Sequence, residues 1–153
     1  MIKINVVLDN INWKKYIKNP NNYIDKQISL INKKNNLYKK NILVCTLLLS
    51  STTEIKKLNK KFRNKNKSTD VLSFPFYKKK ELNNKIKKER KIYLGDIIIN
   101  LNRVKKNNII VFKKELNKLW IHGFTHLFGY DHKRDKDFNI MAKIEKKFLN
   151  LLN

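Results

Sequence analysis

All three histidines of this chain stand within eleven residues, as His122, His126 and His132. Two histidines four apart share one face of a helix and can hold a metal ion between them. Gly129 offers a helix end, after which the chain can fold back and deliver a third imidazole. Three nitrogen ligands leave the fourth tetrahedral position open to water, which is the arrangement of a catalytic rather than a structural zinc site. The block therefore reads as a metal-dependent hydrolase site, with one Zn2+ per chain on His122, His126 and His132.

A helix over residues 115–129 has to position two of these ligands. Its apolar residues Leu116, Trp120, Ile121, Phe124, Leu127 and Phe128 gather on one side. His122 and His126 project from roughly the opposite side, beside Leu119 and Gly123, so they avoid the helix's own core stripe. Gly123 leaves room near the metal for a substrate or for a close backbone. In an HExxH metalloprotease a glutamate follows the first histidine as general base. Here that position is Gly123, which counts against peptide hydrolysis.

The remaining elements alternate. Residues 2–8 read as a first strand. Ile24, Gln27, Ile28 and Ile31 keep a helical period behind Pro20. Residues 42–49 form a near-continuous apolar run, suited to a central strand covered on both faces. Ser51 with Glu54 is a capping-box pair, and Ile55, Leu58 and Phe62 continue a helix. Residues 71–76 make a third strand, with Pro75 marking its end or an edge. Residues 93–100 make a fourth, interrupted early by Gly95. The polar stretch 77–91 reads as a solvated loop, with a basic flap over RNA as the functional alternative. Asp135 opens a last helix carrying Phe138, Met141, Ile144 and Phe148. The expected fold is α/β (α+β): a single mixed sheet of about four strands with helices packed on it, including a zincin-like metal-binding helix.

Composition narrows the function classes. A chain of 153 residues is most naturally one domain, 1–153, with a real core. Its formal net charge of +24 favours polyanionic partners, nucleic acid ahead of an anionic membrane. Lys, Asn and Ile fill nearly half the chain and Ala142 is the only alanine. That bias is what an A+T-rich coding sequence produces, so the charge is compatible with nucleic-acid binding without demonstrating it. Cys45 is alone, which rules out an internal disulfide and suits a reducing compartment. The longest apolar run is too short to span a bilayer, and no signal-like segment opens the chain. A soluble cytoplasmic protein without membrane attachment is expected.

Three ordered blocks resemble the YbeY family, zinc-dependent endoribonucleases of ribosomal RNA maturation. The family's HGxLHLxGYDH motif matches His122 to His132, with Thr125 where leucine is usual. Its central block matches residues 58–75 around Arg63, and its LGDI element is Leu94-Gly95-Asp96-Ile97. The resemblance covers most of the chain after about residue 40. It implies zinc on the three histidines and a catalytic role for Arg63. Such a guanidinium can grip a phosphate through paired hydrogen bonds and offset developing charge. It also implies single-strand-specific cleavage in 16S rRNA 3′-end maturation and ribosome quality control, with the small ribosomal subunit as partner. The alternatives are a ribosome-assembly factor with mainly structural zinc and, behind it, a zincin-like metalloprotease. Phe62 replaces a frequent tyrosine, and Asn66 and Ser68 replace an aspartate and a proline, which loosens the expected loop after Arg63. Lys78 to Lys80 stand where the family often has acidic residues.

Overall fold

A computed structural model describes residues 1–34, 40–132 and 135–152. Four strands form one mixed sheet in the order β1-β2-β4-β3: β1 (Ile2–Leu8), β2 (Ile42–Ser50), β3 (Val71–Pro75) and β4 (Lys91–Asn100). β1 pairs with β2 and β2 with β4 in parallel, while β3 runs antiparallel on the outer side of β4. Pro75 is the last residue of this edge strand, where a missing N–H costs no ladder bond.

The helices are α1 (Pro20–Lys34), α2 (Thr52–Arg63), α3 (Lys79–Lys88), α4 (Ile109–Leu127) and α5 (Asp135–Leu151). α1 packs against β1, and α4 lies across β3 and β4 with α5 against it. Between them and the sheet sits the main core, with Leu43, Leu47, Leu49, Ile97 and Ile99 from the strands and Trp120 and Phe124 from α4. The indole N–H of Trp13 reaches the Ser50 carbonyl at 3.1 Å, which lets a large polar-tipped ring be fully buried.

Only one face of β2 is sealed, contrary to the reading of its apolar run. Leu43, Cys45, Leu47 and Leu49 are buried, whereas Ile42, Val44, Thr46 and Leu48 are half-buried. α2 covers part of the second face through a small cluster of Ile55, Leu72 and Ile98.

Gly95 does not interrupt β4. Val44 pairs with Tyr93 and Cys45 with Gly95, so Leu94 is an extra residue in a β-bulge. Gly95 has φ +131, and a Cβ there would run into the Phe74 carbonyl of β3. The bulge thus needs glycine for both its dihedral and the close strand.

The stretch 77–91 is not a simple loop. Residues 79–88 form α3, with the Lys78 N–H donating to the Glu81 carboxylate at 3.0 Å to start it. Leu82 is buried and Ile86 is half-buried against the main core. Two apolar residues four apart, in a lysine-rich background, were enough to dock a helix.

The loop between Arg63 and β3 is better tied than its sequence suggests. Asn64 adopts the left-handed conformation (φ 54) and closes α2, with Lys65 N–H bonding back to the Asn59 carbonyl. Asn59 Nδ2 donates to Lys67 O at 2.7 Å and Asn100 Nδ2 to Thr69 O at 3.1 Å. These asparagines hold the loop where an aspartate and a proline are absent.

Candidate functional site

α4 begins with Asn108 capping the Val111 N–H at 2.9 Å. Its apolar stripe is buried as expected, and His122 and His126 are half-buried on the other side. After Leu127 the helix closes: Phe128 N–H bonds to Thr125 O and Gly129 N–H to His126 O. Gly129 takes φ +76, the left-handed value that lets the chain reverse. A Cβ at Gly129 would also press on Lys79, so the turn packs directly against the start of α3. The reversed chain delivers His132, with Asp131 Oδ1 accepting the His132 backbone N–H at 2.8 Å.

One ligand atom from each of His122, His126 and His132 lies within 4.8 Å of the others. The site suits a metal in finer detail. His122 Nδ1 faces Glu145 Oε1 at 2.8 Å and His126 Nδ1 faces the Tyr130 carbonyl at 2.8 Å. A neutral ring that donates through Nδ1 presents a bare lone pair at Nε2. The two Nε2 atoms face each other at 3.2 Å. Tetrahedral zinc with Zn–N bonds of about 2.0–2.1 Å requires neighbouring nitrogens roughly 3.3 Å apart. With both Nδ1 atoms donating, two Nε2 lone pairs at that spacing could hold a metal ion between them. Burial, and then the neighbouring His122, lower the His126 pKa, although the Tyr130 carbonyl opposes this. The net direction favours the neutral ring that a metal needs.

Glu145 was not singled out from sequence. It comes from α5, on the far side of the turn, and holds the His122 ring in place. Its only sequence signal is a carboxylate on the polar side of an amphipathic helix, which many helices share. Gly123 resolves in favour of packing: a Cβ there would lie 2.5 Å from Ile97 Cγ2 and 3.1 Å from Ser73 Oγ. The helix rests on the sheet at this point, so a protease-type glutamate has no room. Thr125 is fully buried and donates its hydroxyl to the His122 backbone carbonyl at 2.8 Å, a packing change that makes no bond to the imidazole rings.

Arg63 ends α2 and reaches the same place. Its Nη2 donates to the Ser73 carbonyl at 2.9 Å, and its guanidinium carbon lies 5.8 Å from the Phe74 ring centroid. An open cavity of about 740 Å³ is lined by Arg63, Lys65, Ser73, His126, Tyr130 and His132 among others. Arg63 and two histidines 63 and 69 positions downstream, His126 and His132, thus share one cavity beside the edge strand.

The family model for the endoribonuclease YbeY matches residues 7–153. The chain belongs to the YbeY family. Its YbeY relatives include the endoribonuclease YbeY of Pelagibacter ubique, 45% identical over 148 residues, which are 95% of this chain and 92% of that protein. That of Buchnera aphidicola from Acyrthosiphon pisum is 40% identical over 119 residues, 75% of this chain and 72% of its own. The fold is similar to the solution structure of a Thermotoga maritima protein at TM-score 0.58 and 29% identity, covering 99% of this chain and 89% of that one. The YbeY match extends well upstream of residue 40, into β1, which no motif had reached. As a member of this family the chain is a hydrolase acting as an endoribonuclease, with RNA as its substrate class. Among the described residues no helix is long and apolar enough to cross a membrane.

Proposed function

We propose that residues 1–153 form one endoribonuclease domain that cleaves single-stranded ribosomal RNA, with zinc on His122, His126 and His132 and with Arg63 as the catalytic phosphate-binding residue. The reading extends to 16S rRNA 3′-end maturation and ribosome quality control on the small subunit, in the cytoplasm. What carries it is the shared cavity: His126 and His132, two of the three converging imidazoles, line one open space with a tethered guanidinium.

Each residue has work to do there. Glu145 and the Tyr130 carbonyl fix two rings so that Nε2 points inward. When bound, zinc supplies Lewis acidity and an acidified water. Arg63 spends one N–H on the Ser73 carbonyl and keeps others for a phosphate. That tether fixes the fork in advance, so little side-chain entropy is lost when a phosphodiester enters. Lys65, also on the cavity wall, adds charge for the neighbouring phosphate.

The test is cleavage of single-stranded ribosomal RNA by zinc-loaded protein, beside a His126→Ala variant purified identically. Cleavage by the parent alone supports the proposal. Equal cleavage by both would trace the activity to a contaminant. Zinc binding and tight particle association without cleavage would favour an assembly factor with structural zinc.

A further inference from the structure

Beside the main cavity lies a second one of about 520 Å³, lined by Pro75, Phe76, Tyr77, Lys78, Lys79 and Gly129 among others. The two cavities share Pro75 and Gly129, so they adjoin across the turn that delivers His132. Phe76, the residue after the edge strand, is 64% exposed. A lone exposed phenyl on a surface needs no explanation. This one is set in a cluster: it meets Tyr77 at 5.0 Å and 80°, and Tyr93 at 5.9 Å and 74°. The two steep contacts fix the ring's orientation while leaving most of it open.

The charge around the ring is selective. Lys78 and Lys79 line the cavity, and Glu81, the one carboxylate on its wall among the described residues, accepts the Lys78 backbone N–H at 3.0 Å. Lys79 Nζ sits 4.4 Å from the centroid of Tyr130, whose carbonyl orients His126. A held aromatic face with two lysines lining the same cavity is what one nucleotide of a single strand requires: a surface for the base and cations within reach of the phosphates.

We infer that this second cavity is a nucleotide subsite, in which Phe76 stacks the base next to the scissile phosphate and Lys78 and Lys79 hold the backbone beside it. Phe76 is then a positioning residue, which sets how the strand lies across the histidine cluster. Stacking on a ring tolerates any base but demands that the base be unpaired, so the subsite would select for single strands without reading sequence. The inference rests on the endoribonuclease reading above.

The experiment measures KM and kcat of the zinc-loaded full chain on a fluorescein-labelled RNA decamer with one cleavage position. Parent, Phe76→Ala and Phe76→Leu are compared, each on intact RNA and on RNA made abasic at single positions flanking the cleavage point. Phe76→Leu keeps an apolar side chain and guards against simple misfolding. Both variants should raise KM about ten-fold, as expected for one lost base stack, with kcat little changed. One abasic position should raise the parent's KM by a similar factor and leave the variants' KM unmoved. An unchanged KM in Phe76→Ala, or penalties that multiply instead of merging, would overturn the subsite. If the parent does not cleave, the endoribonuclease reading falls. Fluorescence anisotropy of the same labelled RNA then decides the subsite alone, equal affinities for parent and Phe76→Ala overturning it.

Discussion

Arg63 and Glu145 show how single side chains act through what holds them. Arg63 is anchored by the Ser73 carbonyl, which belongs to the strand whose edge forms the cavity wall. Arg63→Ala should lower kcat/KM for RNA by roughly 10²–10³, the scale of losing one preorganised electrostatic group. Zinc content, read by metal analysis, should stay at the parental value. Arg63→Lys should recover little, because an ammonium cannot hold a carbonyl and a phosphate with one fork. Glu145 acts through His122. Glu145→Ala should weaken zinc binding by about 10–100-fold in a chelator competition, the usual cost of losing a ligand's supporting partner. Glu145→Gln, which can still accept the ring N–H, should sit between the two. A variant that binds zinc as tightly as the parent would remove Glu145 from the site.

At the scale of elements, the site depends on how α4 rests on the sheet. Gly123 is the contact point, with Ile97 and Ser73 directly beneath it. Gly123→Ala should cost about 1–3 kcal/mol as the helix is levered off the sheet. For a chain of this size that is roughly 2–4 °C of melting temperature per kcal/mol. The same lift would separate His122 and His126 from Arg63, so catalysis should fall further than zinc binding does. Thermal unfolding together with RNA cleavage checks both. α3 gives the complementary case. Its lysines obscured a helix that needs only Leu82 and Ile86 on its inner side. Propensity permitted a helix there, but contact with the rest of the core decided it, which is why a local reading found a loop.

Over the whole molecule, charge is the dominant feature. With a net charge of +24, folding brings like charges together. Raising salt from low to moderate ionic strength should therefore increase the melting temperature of the RNA-free protein. Over the same range it should weaken RNA binding linearly in log–log form, with a slope near −0.7 per phosphate neutralised. Melting curves and RNA titrations at matched salt would test the pair. A melting temperature indifferent to salt would mean that the lysines are dispersed enough to be screened already.

The order of the four strands, four of the five helices and the histidine cluster were legible in the chain, because each is set by local periodicity; α3 was not. Alternation with period 2 marks β1, and spacing by three and four marks α4 and α5. His122 and His126 needed only one helix, and His132 only a glycine that ends it. Arg63 was reachable solely through family resemblance, since nothing local separates it from 35 other basic residues. Glu145, the aromatic cluster at Phe76 and the half-open second face of β2 belong to tertiary structure alone. Each depends on which distant surfaces meet: α5 against α4, the turn at Gly129 against α3, β3 as the edge beside β4. Local sequence fixes the backbone's repeat and the side each residue faces. Long-range packing decides what lies opposite it, and this site is assembled from such opposites.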